Sequence, residues 1–214
     1  MIAENLSKIL ATIPSDVTLV AVSKTKPNSA ILEAYEVGQR IFGENKVQDM
    51  AEKASSLPKD IQWHMIGHLQ TNKVKFIAPF VSLIHGVDSL KLLTEINKRA
   101  AQNKRTIDCL LQVYIAKEEA KFGLDELEVR YLLDSSKAFS NVRVIGLMGM
   151  ATNTNDETQV SNEFANLKRL TNKLQAENNL LQTISMGMSG DYLLAIKEGS
   201  SMVRVGSAIF GNRN

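Results

Sequence analysis

The feature that most constrains this chain is a repeated alternation. A short, nearly all-apolar run is followed by a stretch with helical spacing of apolar residues, and the unit recurs eight times. The runs read as strands at Thr18 to Ser23, Arg40 to Gly43, Gln62 to Ile66, Val81 to Gly86, Ile107 to Tyr114, Val142 to Met148, Leu181 to Met186 and Met202 to Val205. They do not alternate apolar with polar residues, as a one-sided sheet would. That is the pattern of parallel strands covered on both faces. Eight such units within 214 residues predict a compact α/β fold, a single (β/α)8 barrel. Ile2, Leu6, Ile9 and Leu10 add one N-terminal helix that ends before Pro14. A doubly wound open sheet is the competing architecture. No linker or low-complexity stretch interrupts the chain, so residues 1–214 read as one domain.

The intervening helices carry their own signals. Asn28 is expected to cap a helix through Tyr35 that Gly38 closes. Further helices are expected over Val47 to Ser55, Thr71 to Ile77, from an Asp88 or Ser89 cap to Ala101, from Asp125 to Leu133, from Asn155 or Asp156 to Ala176, and over Tyr192 to Glu198. Ser207 to Phe210 forms a final apolar turn.

Bulk properties exclude several classes. Lys and Arg total 25 against 23 Asp and Glu, a net charge of +2 with no long single-sign run. This is neither a nucleic-acid nor a membrane-surface footprint. Cys109, alone of its type, lies in an apolar run and reads as a core thiol. The N-terminus lacks a basic region followed by an apolar core, and no apolar run reaches membrane-spanning length. A cytoplasmic protein is expected.

In a (β/α)8 barrel the C-terminal strand ends form the functional rim. The first strand runs into Lys24, and Pro27 stops it soon after. Such a lysine can snorkel to solvent. It can also be a desolvated amine with a lowered pKa that attacks a carbonyl. The seventh strand leads into Ser189-Gly190 and the eighth into Gly206-Ser207. Each pair by itself is an ordinary turn; together, at these two strand ends, they describe a phosphate cradle of backbone N–H groups. In the eighth strand the two-residue period puts Met202, Arg204 and Gly206 on one face, toward the barrel interior, and Val203 and Val205 toward the helices. An interior arginine needs partners. A structural ion pair with Glu44 or Asp191 is one reading, and a cation facing a ligand is the other. Lysine, cradle and interior arginine together suit pyridoxal 5'-phosphate (PLP), with the arginine keeping the pyridine nitrogen unprotonated and the ring a weak electron sink.

His64, His68 and His85 fall on or beyond the third and fourth strands. Without close His, Cys or Asp spacing they read as hydrogen-bonded core and rim histidines, so no metal site is expected. Lys26, Lys73, Lys75 and Arg40 read as solvated surface charges, and the clustered methionines as core or pocket lining.

Five blocks carry a resemblance along nearly the whole chain. They are Ala21-Val22-Ser23-Lys24-Thr25-Lys26-Pro27, Phe42-Gly43-Glu44-Asn45, the stretch from Trp63 to Lys73, Ser185-Met186-Gly187-Met188-Ser189, and the stretch from Met202 to Gly211. The sequence resembles the pyridoxal phosphate homeostasis proteins, single-domain relatives of the N-terminal barrel of alanine racemase. The resemblance implies a PLP Schiff base on Lys24, Arg204 facing the pyridine nitrogen, Ser189, Gly206 and Ser207 on the phosphate, and Asn45 lining the ring pocket. It also brings Met148 and His85 toward the cofactor. Two positions depart: Gly86 stands where many relatives carry serine, and Lys46 where many carry an aromatic residue.

Alanine racemase takes a second base, a tyrosine, from a further domain, and no residue here maps onto it. The reading is therefore a PLP-binding, non-catalytic protein of intracellular PLP homeostasis, acting on amino-acid and keto-acid balance. Its partners would be PLP and apo PLP-dependent enzymes, and it would be a monomer. Two alternatives remain: an amino-acid racemase using Tyr114 or His85 as an unrecognised second base, and a PLP-free Schiff-base lyase of the aldolase kind.

Overall fold

The structure is a computed structural model that describes residues 1–117 and 123–211. The last three residues of the 1–214 domain lie outside the described residues. After helix α1 (Ile2–Leu10), eight parallel strands alternate with helices and close into a barrel in the order β1 to β8. The strands are β1 (Thr18–Val22), β2 (Ile41–Glu44), β3 (Gln62–Met65), β4 (Leu83–Val87), β5 (Ile107–Gln112), β6 (Val142–Met148), β7 (Thr183–Met188) and β8 (Met202–Val205). The helices between them are α2 (Asn28–Glu36), α3 (Val47–Ser56), α4 (Val74–Ile77, after a 3₁₀ turn at Thr71–Lys73), α5 (Leu90–Gln102), α6 (Glu126–Ser136), α7 (Glu157–Gln175) and α8 (Tyr192–Lys197). Helix α9 (Ser207–Phe210) follows β8. Closure overturns the open-sheet alternative, because β8 pairs back onto β1, setting Val20 beside Arg204 and Ala21 beside Val205.

Two apolar layers hold this up. Val203 and Val205 pack outward against the helices with residues such as Phe42, Trp63, Ile96 and Phe164. Inside the barrel, Val20, Leu83, Leu110, Met148 and Met202 form a small separate cluster. Each fully buried Leu, Ile or Phe of these layers contributes about 1.5–3 kcal/mol. Cys109 is fully buried, and burial raises its thiol pKa.

Capping follows the sequence at three helices. Ser89 accepts from the Leu92 amide, Asp125 and Glu128 form a reciprocal capping box, and Asp156 accepts from the Gln159 amide. Asn28 is a correction. It is the first helical residue and makes no cap; its side-chain amide instead donates to Ser56 Oγ at 3.0 Å. Strand limits also move by one or two residues at β1, β2, β3, β4, β5 and β7. Strands β4, β5 and β7 also carry register shifts, at Ile84/Val87, Cys109/Leu110 and Ser185/Met188, which apolar runs do not encode. Helix α1 is tied down by Asn5 Nδ2 donating to the Ile209 carbonyl and by Glu33 accepting from the Ile2 amide. Among the described residues no helix is long and apolar enough to cross a membrane.

Candidate functional site

The C-terminal rim opens onto a cavity of about 570 Å³. Its wall is built by strand ends from around the barrel: Lys24, Thr25 and Lys26 after β1, Asn45 after β2, Ile66, Gly67 and His68 after β3, and Gln112 at the end of β5. Met150 follows β6, Met188, Ser189 and Gly190 come from β7, and Arg204, Gly206 and Ser207 from β8. Lys24, Lys26 and Arg204 are cationic, and among the described residues no carboxylate lines the cavity. The site is therefore a positive concavity in a low-dielectric wall, suited to an anion.

Arg204 forms the floor, only 4% exposed. Its Nη1 donates to the Ser185 carbonyl at 2.9 Å and to Ser185 Oγ at 2.6 Å, and its Nη2 donates to the Gly149 carbonyl at 3.2 Å. Burial lowers its pKa to about 10, a lowering that the charge of Asp191 opposes. The ion-pair reading of Arg204 is a correction. Glu44 faces outward and pairs with Lys53 at 2.7 Å, while Asp191 accepts from the Met188 amide. The hydrogen bonds of Arg204 all go to neutral acceptors, and Asp191 acts on it through space without an ion-pair contact.

From Arg204 a buried polar chain runs across the barrel. Ser185 Oγ lies 3.0 Å from His85 Nδ1, and His85 Nε2 lies 3.1 Å from His64 Nδ1. Arginine can only donate, so the assignment that satisfies every member has Ser185 donating to His85 Nδ1. His85 then carries its proton on Nε2 and donates to His64 Nδ1. Desolvation lowers both imidazoles, His64 to about 3 and His85 well below its ordinary value, with the His64 and Arg204 charges adding to the second. Both are core histidines, as expected. His68 stands apart on the rim, 3.4 Å from Asp88. Among the described residues no group of three or more His, Cys, Asp or Glu could hold a metal ion.

Between β7 and β8, Ser189 Oγ accepts from the Gly206 amide at 3.0 Å and from the Ala208 amide at 3.5 Å. The hydroxyl thus occupies the position an anionic oxygen would take toward those donors. Across the cavity, a Cβ on Gly67 would meet the Asn45 carbonyl at 2.6 Å, so only glycine lets the β2 and β3 ends close together there. A side chain at Gly86 would press on the Gly67 carbonyl at 2.9 Å and on Gln112 Oε1 at 3.3 Å. The serine-to-glycine departure therefore lies directly behind two lining residues. Lys46, the other departure, is exposed at the cap of α3.

The structure brings together Lys24, Asn45, Ser189, Arg204, Gly206 and Ser207. Met148 is the exception. It belongs to the inner apolar cluster at 1% exposure, below the cavity, and Met150, one period further along, lines the wall. Lys26 reverses its surface expectation and lines the cavity. Tyr114 and His85, the candidate second bases, are absent from the lining. His85 is fully buried on Ser185 and His64, and Tyr114 lies beyond the end of β5. Gln112 and Met150 were not anticipated, although the two-residue period from Leu110 and Met148 aims both at the rim. Thr25 was not anticipated either, and no sequence signal marks it.

Comparison with known proteins agrees with this geometry. The family described as alanine racemase, N-terminal domain, matches residues 1–214. A pyridoxal phosphate homeostasis protein of Vibrio alginolyticus is 40% identical over 206 residues, covering 94% of this chain and 88% of that protein. PipY of Synechococcus elongatus superposes with TM-scores of 0.93 without PLP and 0.90 with PLP bound, at 36% identity over 99% of this chain and 100% of PipY. Alanine racemase of Clostridium difficile shares the fold alone, at TM-score 0.82 and 14% identity, over 99% of this chain and 56% of the racemase. With a closed eight-stranded barrel, a rim cavity lined by Lys24, Lys26 and Arg204 and this extent of identity, the chain belongs to the alanine racemase N-terminal domain family and, within it, to the pyridoxal phosphate homeostasis proteins.

Proposed function

We propose that this protein binds pyridoxal 5'-phosphate in the rim cavity and serves intracellular PLP homeostasis. The observation that carries the reading is the donor set: a lysine at the mouth, an arginine at the floor, and backbone amides with two serines between them, on one cavity that no carboxylate lines among the described residues. The residues fit the group. The Ser189 hydroxyl accepts from the Gly206 and Ala208 amides, which leaves its own proton to donate to a phosphate oxygen. PLP supplies an aldehyde that an amine can capture reversibly. Lys24 is the amine, adding to that carbon with loss of water. Ser189, Gly206 and Ser207 hold the phosphate, Asn45 lines the ring pocket, and Arg204 faces the pyridine nitrogen as a donor, keeping that nitrogen unprotonated. PipY, 36% identical to this chain, has a structure with PLP bound, and the Vibrio relative is named for PLP homeostasis.

The reading is a binding protein rather than a racemase, since neither Tyr114 nor His85 lines the cavity. It takes residues 1–214 as one cytoplasmic, monomeric domain, with apo PLP-dependent enzymes as recipients. The experiment is an absorption spectrum of the purified protein with added PLP, before and after borohydride, beside Lys24→Ala. A band that borohydride fixes covalently on Lys24, absent in the variant, is expected. A protein that gains no band sinks the reading and leaves a Schiff-base lyase of the aldolase kind.

A further inference from the structure

Behind Lys24, outside the barrel wall, lies a buried charged pair that the cavity does not use. A Cβ on Gly43 would meet Val20 and Ile66 inside the barrel, so its neighbour Glu44 points the other way, toward α3. Glu44 is fully buried and Lys53 of α3 is 8% exposed. Glu44 Oε1 accepts from Lys53 Nζ at 2.7 Å and from Ser23 Oγ at 2.6 Å, and Lys53 Nζ also donates to the Ser23 carbonyl at 3.0 Å. Glu44 Oε2 is buried with no hydrogen-bond partner. A buried pair left half-satisfied is a poor stabiliser, since apolar residues of similar volume commonly do as well.

What the pair holds is the residue before Lys24. Ser23 is fixed at three atoms: its amide donates to the Gly43 carbonyl at 3.0 Å, its hydroxyl is held by Glu44, and its carbonyl by Lys53. The same carbonyl accepts from the Lys26 amide at 3.0 Å, closing a tight turn with Lys24 and Thr25 at its two central positions. Thr25 has φ +66°, the left-handed region that this turn position reserves for glycine or asparagine. A β-branched residue there is strained, and such strain persists only where the surroundings over-determine it.

We propose that Glu44 and Lys53 are positioning residues for Lys24. Anchoring Ser23 from behind the wall, they hold the strained turn closed and set where the Lys24 amine enters the cavity. This rests on the PLP reading for its consequence, but the turn itself exists without ligand. Four proteins test it: the natural chain, Glu44→Met/Lys53→Met, Thr25→Gly, and the triple variant. The methionine pair removes the clamp without stranding a charge; should it fail to fold, Glu44→Gln/Lys53→Gln takes its place. Two readouts are needed, PLP affinity with borohydride trapping at Lys24, and hydrogen exchange of the Lys26 amide in the ligand-free protein.

In the paired variant PLP affinity and trapping rate are expected to fall about tenfold to a hundredfold. Lys26 amide exchange is expected to rise. Thr25→Gly, relieving the strain, is expected to restore much of both in the triple variant, a rescue that a merely structural role for the pair would not produce. An unchanged Lys26 amide and PLP affinity in the paired variant overturns the clamp, as does a triple variant no better than the double. If the natural chain takes up no PLP while the Lys26 amide still responds, the clamp stands and the PLP reading falls.

Discussion

Lys53 and Arg204 are both buried, at 8% and 4% exposure, but their charges are met differently. Lys53 lies outside the barrel wall and has a carboxylate, Glu44, at 2.7 Å. Arg204 lies inside, and its hydrogen bonds go to two carbonyls and a hydroxyl. The first charge is cancelled locally, so its effect is mechanical and confined to what the pair grips. The second has only the through-space pull of Asp191, and among the described residues no carboxylate lines the cavity it faces. A buried cation with a resident anion holds structure, whereas one with neutral acceptors is left to meet a ligand.

The comparison is easiest to break at the ion pair. Glu44→Ala or Lys53→Ala alone strands the partner's charge and should cost about 3–5 kcal/mol, while the double methionine variant should stay within about 1 kcal/mol of the natural protein. Denaturant midpoints measure this; equal losses in single and double variants would mean the two residues do not compensate each other.

Acid tests the other cation. The His85 and His64 imidazoles must stay neutral, and their folded pKa values lie below the ordinary 6.5. The unfolded chain therefore takes up protons first. The stability these groups lend is present above about pH 6.5 and lost as pH falls below it, for His64 down to about 3. At pH 5 the loss from His64 is about 2 kcal/mol. His64→Gln should make the slope between pH 6.5 and 4 shallower in a pH series of unfolding curves, and an unaltered slope would assign the acid loss to other groups.

Arg204→Met removes a donor rather than a counter-ion. It should cost about 1–3 kcal/mol, for the Ser185 and Gly149 oxygens it leaves short, less than Lys53→Ala. Its larger effect should be on anions, weakening inorganic phosphate or PLP at least about tenfold by calorimetry. Loss of stability with undiminished anion affinity would erase the distinction between the two cations. The smallest effect is at the turn the first cation guards: Thr25→Gly should raise stability by about 1 kcal/mol, the relief of left-handed strain less the entropy glycine loses. A lower melting temperature in that variant would show that Thr25 makes contacts worth more than its strain.

Much of the site is legible in the sequence. Lys24 is visible because an apolar run ends in it, and Arg204 because the two-residue period of β8 turns it inward with Met202. Ser189, Gly206 and Ser207 are visible because two Gly-Ser pairs follow the last two strands. Three positions depart from their local pattern, each for its own reason. Met148 and Met150 lie one period apart, and only the depth of the barrel decides which one reaches the cavity. Lys26 looked like a surface charge because nothing local shows that the chain folds back over the rim there. Asn28 looked like a cap, but Pro27 already occupies the cap position.

By itself the sequence determined the class of fold, because eight apolar runs without alternation can be buried only as a parallel sheet covered on both faces. It also determined the chemistry offered at the rim, since strand ends in such a barrel share one side. The tertiary structure decided the pairings across the chain: Glu44 with Lys53 rather than Arg204, Arg204 with Ser185, and Ser185 with His85 a hundred residues away. These depend on helix packing, strand register and barrel closure, which are set by contacts between distant segments and leave no local pattern to read.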